Sequence, residues 1–458
     1  MHTEEGRDFR PALHFTPRAG WINDPNGLVF VDGTYHLFAQ YYPEPDWGPM
    51  HWCHGSSRDL IHWEHLPVAL EPDGLGYIFS GSAVYDRENT SGLGEGGRGP
   101  LVALYTSHLP GEGGRDREQQ SLAYSLDGIR FTKYQGNPVL PGSRRDCRDP
   151  KVFRNPVRGC WSMVLAAGDH VEFYASEDLK KWEKTGEFGP AGNYAKGVWE
   201  CPDLFPLQAG GEEVWVLLVS MGPSEENHGA RTQYFTGRFD GDSFRCDGRF
   251  TQPEFIDAGL DNYAGVTFFG TEERLLVGWA CNWIYAHNTP TGAYRGQMTL
   301  PRRLFLADTP KGGLRLGCAP VDQAAFGEAG PWTGELSGQV FKLTVTGTGA
   351  GAVRLSNRAG QCLDFGVDAE NRAFFDRSQA GEQGFDENFA RDWYSRMAAP
   401  RFYEGGWEMQ FLFDRSVAEM FVDQGTRAFT WVVYPSQPYD RLTVSGSAQV
   451  RLHAMQPG

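Results

Sequence analysis

Apolar and polar positions along the first 320 residues follow a repeating plan. A short strand pattern rich in aliphatic and aromatic residues occurs five times, at 35–40, 101–107, 161–167, 214–220 and 275–281. Another short apolar strand precedes each, at 27–30, 81–84, 151–153, 204–207 and 265–268. After the first four comes an Asp with an aromatic residue four positions on: Asp59/Trp63, Asp127/Phe131, Asp178/Trp182 and Asp240/Phe244. The fifth unit closes instead on DTPKGGLRL at 308–316. Successive Asp residues are 68, 51 and 62 positions apart, enough for four short strands and their turns. Five such units predict a five-bladed β-propeller, whose radial packing leaves few strand edges exposed. A large sandwich with similar hairpins is the plainer alternative, and the four matched turns favour the propeller.

Beyond Pro320 the pattern changes. From about Gly327 apolar and polar residues alternate, as at 341–347, 352–357, 407–413, 418–423 and 441–446. Period two with one buried face predicts a β-sandwich. The expected fold is therefore all-β: a five-bladed β-propeller over 1–320 followed by a C-terminal β-sandwich over 327–458, with a linker at 328–338.

Composition adds exclusions. A chain of 458 residues exceeds what one hydrophobic core of about 250–300 residues supports, which agrees with two domains. Acidic residues (58) outnumber basic ones (42), so a nucleic-acid partner is not expected. No apolar run approaches the roughly 18 residues of a membrane span, so no membrane partner is expected either. The N-terminus lacks a basic start followed by an apolar stretch and reads as cytoplasmic. Eight scattered cysteines without a CxxC pair read as free thiols. His51, His54, His62 and His65 suggest a metal at first sight, but they fall in a strand and an outer turn without HExxH. Neither a metal nor another cofactor is expected.

The first strand of each propeller blade lines the central channel, so polar residues at its start meet there. These starts read WINDP at 21–25, FSGS at 79–82, RDP at 148–150, WECPD at 199–203 and DNY at 261–263. Three blades thus deliver a carboxylate, Asp24, Asp149 and Glu200, to one funnel. Two carboxylates facing one site are the equipment of glycoside hydrolysis, one attacking or activating water and the other protonating the leaving oxygen. Like charges held close push their pKa values apart, which keeps one acid protonated near neutrality. Trp47, Phe79 and Trp283 offer apolar faces to sugar C–H groups. Each feature has a plainer reading. Asp24-Pro25 and Asp149-Pro150 are ordinary turn formers elsewhere, Arg148 neutralises its neighbour, and Trp21 and Trp199 serve packing as readily as contact.

At these residues the sequence resembles glycoside hydrolase family 32, the β-fructofuranosidases (invertases, exo-inulinases, levanases). WINDPNG at 21–27 is similar to the family's sucrose-binding box, and FSGSA (79–83), RDP (148–150) and WECPDLF (199–205) resemble its other motifs. The likeness continues through TQYFTGRFDG (232–241), YRGQMTLPRRL (294–304) and DRSVAEMFVDQG (414–425). It implies Asp24 as nucleophile, Glu200 as general acid/base and Asp149 as transition-state stabiliser acting with Arg148. It places Asn23, Gln40, Trp47, Phe79, Ser80, Tyr263 and Trp283 around a terminal fructosyl unit. It also implies a retaining, exo-acting hydrolase of sucrose, fructo-oligosaccharides, inulin or levan. Where the family commonly has YQYNP, this chain has AQYYP at 39–43, a departure expected to border the pocket entrance and alter the leaving group. The alternatives are a fructosyltransferase on the same scaffold, a non-catalytic fructan-binding module and an inverting glycosidase of pentose polymers. No sequence feature ranks the substrates or specifies an oligomeric state.

Overall fold

The Asp repeat becomes a repeated turn. Oδ1 of Asp59 accepts the backbone N–H groups of Ile61 and His62 at 3.0 and 2.8 Å. Asp127 does the same with Ile129 and Arg130, Asp178 with Lys180 and Lys181, and Asp240 with Asp242 and Ser243. This Asx turn satisfies backbone donors where the chain reverses, and it ties the third strand of a blade to the fourth. Two of the trailing aromatics lock it: the indole N–H groups of Trp63 and Trp182 donate to the Leu60 and Leu179 carbonyls at 3.2 and 3.1 Å. The fifth blade has no such Asp. Its last hairpin turns through Gly313, whose φ of +63° suits glycine.

The computed structural model describes residues 9–456 except 143–144, 191–196, 225–226, 249–252, 333, 335 and 337. Five radial sheets form a five-bladed propeller. Blade I comprises Gly20–Val31, Thr34–Tyr42, His51–Ser57 and Trp63–Leu70, and blade II Tyr77–Tyr85, Leu101–Leu109, Arg117–Ser125 and Thr132–Lys133. Blade III comprises Cys147–Arg154, Trp161–Ala167, Val171–Ser176 and Glu183–Phe188. Blade IV comprises Trp199–Ala209, Glu212–Ser224, Gly229–Phe239 and Phe244–Cys246. Blade V comprises Tyr263–Thr267, Leu275–Trp279, Arg302–Thr309 and Gly313–Pro320. The expected strand pairs are the two inner strands of each blade. The ring closes between blades V and I, where Tyr294–Arg295 runs parallel to Gly20–Val31 and Phe30 N–H donates to the Phe269 carbonyl at 2.8 Å.

A six-stranded and a five-stranded sheet form the sandwich, closing over Leu343, Phe365, Phe411 and Trp431. The expected linker at 328–338 is corrected in part. Phe326–Pro331 is a strand at the edge of the six-stranded sheet, paired with Gln449–Met455. An edge strand needs partners on one side only, so a glycine-containing stretch without alternation suffices there.

At the opposite edge of that sheet lies Arg427–Val432, and the propeller covers it. The chain at 257–261, just ahead of blade V, runs along this strand: Ala258 N–H donates to the Ala428 carbonyl at 2.7 Å and Asp261 N–H to the Thr430 carbonyl at 3.2 Å. Charges are buried at the same junction. Arg302 reaches Asp257 at 2.8 Å and Glu419 at 3.2 Å. His14 reaches Asp414 at 2.8 Å and Glu419 at 3.6 Å. All eight cysteines are free thiols.

Candidate active site

Side chains normally alternate between the two faces of a strand, so neighbours in sequence should not share one pocket. Each inner strand breaks this rule near its start with a one-residue β-bulge. Three steps along the inner strand oppose two on its neighbour at Ile22–Pro25, Ile78–Gly81, Arg148–Lys151, Glu200–Asp203 and Tyr263–Val266. A bulge re-aims side chains. Consecutive residues Asn23 and Asp24, and Arg148 and Asp149, accordingly line the same cavity. At blades III, IV and V the first bulged residue, Asp149, Cys201 or Ala264, has a positive φ of 66°, 44° or 54°. Each bulge contains or borders a proline or glycine: Pro25, Gly81, Pro150, Pro202 and Gly265. Asp24-Pro25 and Asp149-Pro150 are therefore not turn formers but parts of strands, at points where the interrupted ladder tolerates a missing N–H.

The cavity has a volume of about 330 Å³ and opens at the end of the propeller axis where the inner strands begin. Asn23, Asp24, Gln40, Trp47, Phe79, Arg148, Asp149, Glu200 and Trp283 line it. The other two expected residues lie just beneath. Ser80 donates its hydroxyl to Asp24 Oδ2 at 2.7 Å, and the Tyr263 hydroxyl donates to Glu200 Oε2. Trp21 and Trp199 are fully buried packing residues, and the Trp21 indole N–H fixes the Asn23 carbonyl oxygen at 2.7 Å.

Asp24 is polarised between its two oxygens. Oδ2 accepts from Ser80, from the Gln40 amide at 3.0 Å and from the Cys201 thiol at 3.4 Å, while Oδ1 is buried with no partner among the described residues. Asp149 Oδ2 accepts the Cys201 backbone N–H at 2.9 Å. Glu200 is gripped at both oxygens, with Arg148 on Oε1 at 2.8 Å and Tyr263 on Oε2. Arg148 also reaches Glu118 and Asp146 at 3.2 and 2.8 Å.

One guanidinium therefore faces several carboxylates in a buried setting. Burial pushes Asp149 up to about 8, against the opposing pull of Arg148 and with help from the charges of Glu200 and Asp24. Burial also raises Asp24, opposed by the Ser80 hydroxyl and reinforced by Glu200. Burial would strip the proton from Arg148, but Glu200, Glu118 and Asp149 outweigh it and keep the guanidinium charged. The carboxylates of the site are thus coupled to one another and to Arg148, so they titrate as a set rather than singly.

Sequence reasoning missed a supporting layer from blade II. Glu118, on the third strand, holds Arg148 and the Cys147 N–H, and it meets His108 at 3.2 Å. His108 in turn stacks on Phe79 with ring centroids 4.1 Å apart. The only signal was a polar run, REQQ at 117–120, whose last three residues are buried. At the rim Asp116, Arg145, Asp146 and His287 also line the cavity. Of the AQYYP departure, Gln40 lines the cavity and Ala39 is packed in the core. The four histidines at 51–65 take separate roles: His54 bonds His36 at 3.0 Å, His62 pairs with Asp59, His51 bonds the Pro49 carbonyl and His65 packs on Phe15.

Comparison with known proteins agrees with this architecture. The model of the glycosyl hydrolases family 32 N-terminal domain matches residues 14–316, and that of the family's C-terminal domain matches 327–455. A levanase of Bacillus subtilis is 38% identical over 98% of this chain and 70% of its own length. An extracellular exo-inulinase of Aspergillus ficuum is 35% identical over 96% of this chain and 92% of its own. The crystal structure of exo-inulinase from Aspergillus awamori superposes with a TM-score of 0.89 at 31% identity, covering all of this chain and 99% of that one. The structure of fructofuranosidase from Schwanniomyces occidentalis complexed with fructose gives 0.88 at 28% identity, over 98% and 99% of the two chains.

Proposed function

From the premise that the chain belongs to glycosyl hydrolase family 32, and so is a glycoside hydrolase of the β-fructofuranosidase kind, we propose that it removes terminal fructosyl residues from fructans and sucrose with retention of configuration. The observation that carries this reading is the meeting of Asp24, Asp149 and Glu200 at one cavity, with Asp24 Oδ2 held by three donors and Glu200 held by Arg148 and Tyr263.

In the first step the Asp24 carboxylate attacks the anomeric carbon while Glu200 passes its proton to the leaving glycosidic oxygen, giving a covalent fructosyl-enzyme. In the second step Glu200 takes a proton from water as the water displaces Asp24 and releases fructose. The Tyr263 hydroxyl both donates and accepts, so it serves Glu200 in either protonation state. Asp149 and Arg148 hold fructosyl hydroxyls, and Asp149 stabilises positive charge at the ring in the transition state. Trp47, 38% exposed at the rim, offers its face to the departing sugar.

Proton NMR of the first product tests the mechanism. Retention predicts that β-fructofuranose appears before the other anomers, and that Asp24→Asn lowers the rate by roughly 10³-fold or more. Initial release of the α anomer would remove the covalent step. Oligosaccharide growth exceeding free fructose at moderate sucrose would make the protein a fructosyltransferase.

A further inference from the structure

The sandwich contacts the propeller at the segment that aims Tyr263. Asp257 and Asp261 flank this segment, and both side chains are buried against sandwich residues. Asp257 accepts the Thr430 N–H and hydroxyl at 2.9 and 2.6 Å. Asp261 Oδ2 accepts the Val432 N–H and an Arg377 N–H, each at 2.8 Å. Asp261 Oδ1 accepts the Tyr285 hydroxyl. Arg377 comes from the sandwich strand Arg372–Gln379, is fully buried and lies over Phe389 and Trp431. Leu260, between the two Asp residues, belongs to the sandwich core. Two positions after Asp261, Tyr263 begins the inner strand of blade V and touches Glu200.

We infer that Arg377 is a positioning residue for the general acid/base: through Asp261 it fixes where Tyr263 meets Glu200, so the sandwich takes part in proton transfer. The inference rests on the acid/base role proposed for Glu200. Its mechanism is geometric. Glu200 faces Arg148 and Asp149 from blade III, Asp24 from blade I, Cys201 from its own strand and Tyr263 from blade V. Blade V contributes the one partner among these that both donates to and accepts from Glu200. If the Asp261 anchor slackens, Glu200 keeps Arg148, which favours only its charged form, and protonation of the leaving group suffers. Arg377 itself faces Asp261, Tyr285 and Tyr434.

The test separates proton transfer from general damage. The double variant Arg377→Met/Asp261→Asn removes both buried charges together and strands neither, whereas Asp261→Asn alone is the milder change. Each is assayed on sucrose, whose leaving group needs a proton, and on an aryl β-fructofuranoside, whose leaving group does not. The expected result is a kcat on sucrose reduced at least tenfold, a kcat on the aryl substrate reduced less than threefold and little change in KM. The basic limb of the sucrose pH profile should also move to lower pH. Glu200→Gln and Tyr263→Phe serve as references. Equal losses on both substrates in folded double or single variants, or wild-type rates in both, would overturn the inference. If Glu200→Gln itself shows no preference for the aryl substrate in kcat/KM, which reports the first step alone, the acid/base assignment fails first.

Discussion

On the cavity floor Asp149 and Glu200 share one guanidinium and, among the described residues, Asp24 has none, whereas at the junction of propeller and sandwich Asp257, Glu419 and Asp414 meet both Arg302 and His14. Burial is similar, yet the acids respond in opposite directions. Asp149 and Asp24 are raised. At the junction burial also pushes Asp257 and Glu419 upward, but Arg302 and their hydrogen bonds prevail, so both end below the ordinary carboxylate range. The difference lies in the supply of donors and cations. Asp257 accepts from Arg302, from Thr430 twice and from the Gly259 N–H. Among the described residues Asp24 accepts only from neutral groups: Ser80, Gln40 and the Cys201 thiol. The junction spends its charges on holding two domains in register, and the funnel keeps its charges unbalanced and available for chemistry.

Three changes would break or sharpen this contrast. The largest effect is expected for Arg302→Met, which leaves Asp257 and Glu419 buried without their common cation. Denaturant titration should show a loss of about 3–5 kcal/mol, with the aryl-substrate kcat of the folded protein little altered. A neutral result would mean that the junction is no better compensated than the funnel. Next comes His14. Burial alone would lower it, but Asp414 and Glu419 outweigh burial and hold it at about 9, against 6.5 for the free side chain. Its charged form therefore contributes stability in full below pH 6.5, and that contribution fades as pH rises through 9. Unfolding free energies between pH 6 and 10 should show a decline of roughly 2–3 kcal/mol that His14→Gln abolishes. The last effect is a gain. Asp149 resists ionisation when folded, so its penalty grows as pH climbs from about 4 to 8. Asp149→Asn should destroy activity yet stabilise the protein at pH 8.5, and the gain should vanish near pH 4. Equal thermal stability of variant and wild type at both pH values would show that the funnel stores no such strain.

Much of this was legible in the chain because it is local. The Asp turns use backbone donors two and three residues away, so composition alone marked them, and the strand pairs between them followed. The three carboxylates were found because each opens an inner strand. What escaped depends on partners distant in sequence. The bulges are a mismatch between two strands, so no single strand displays them, although Pro25, Gly81, Pro150, Pro202 and Gly265 were their trace. Glu118 supports Arg148 across blades, 30 residues apart, from a strand with no motif. The strand at Phe326–Pro331 passed for a linker because one-sided pairing demands no alternation.

The bulges also bear on how such a protein tolerates insertions and deletions. Each is one surplus residue with both flanks already paired. Deleting one residue there, for example Cys201, restores a plain ladder without moving the rest of blade IV out of register. Such a deletion would turn Glu200 away from its partners and silence the enzyme while leaving the blade intact. The scaffold and the active site are thus separable at the level of single codons: the blades would stand without their five surplus residues, and the chemistry would not.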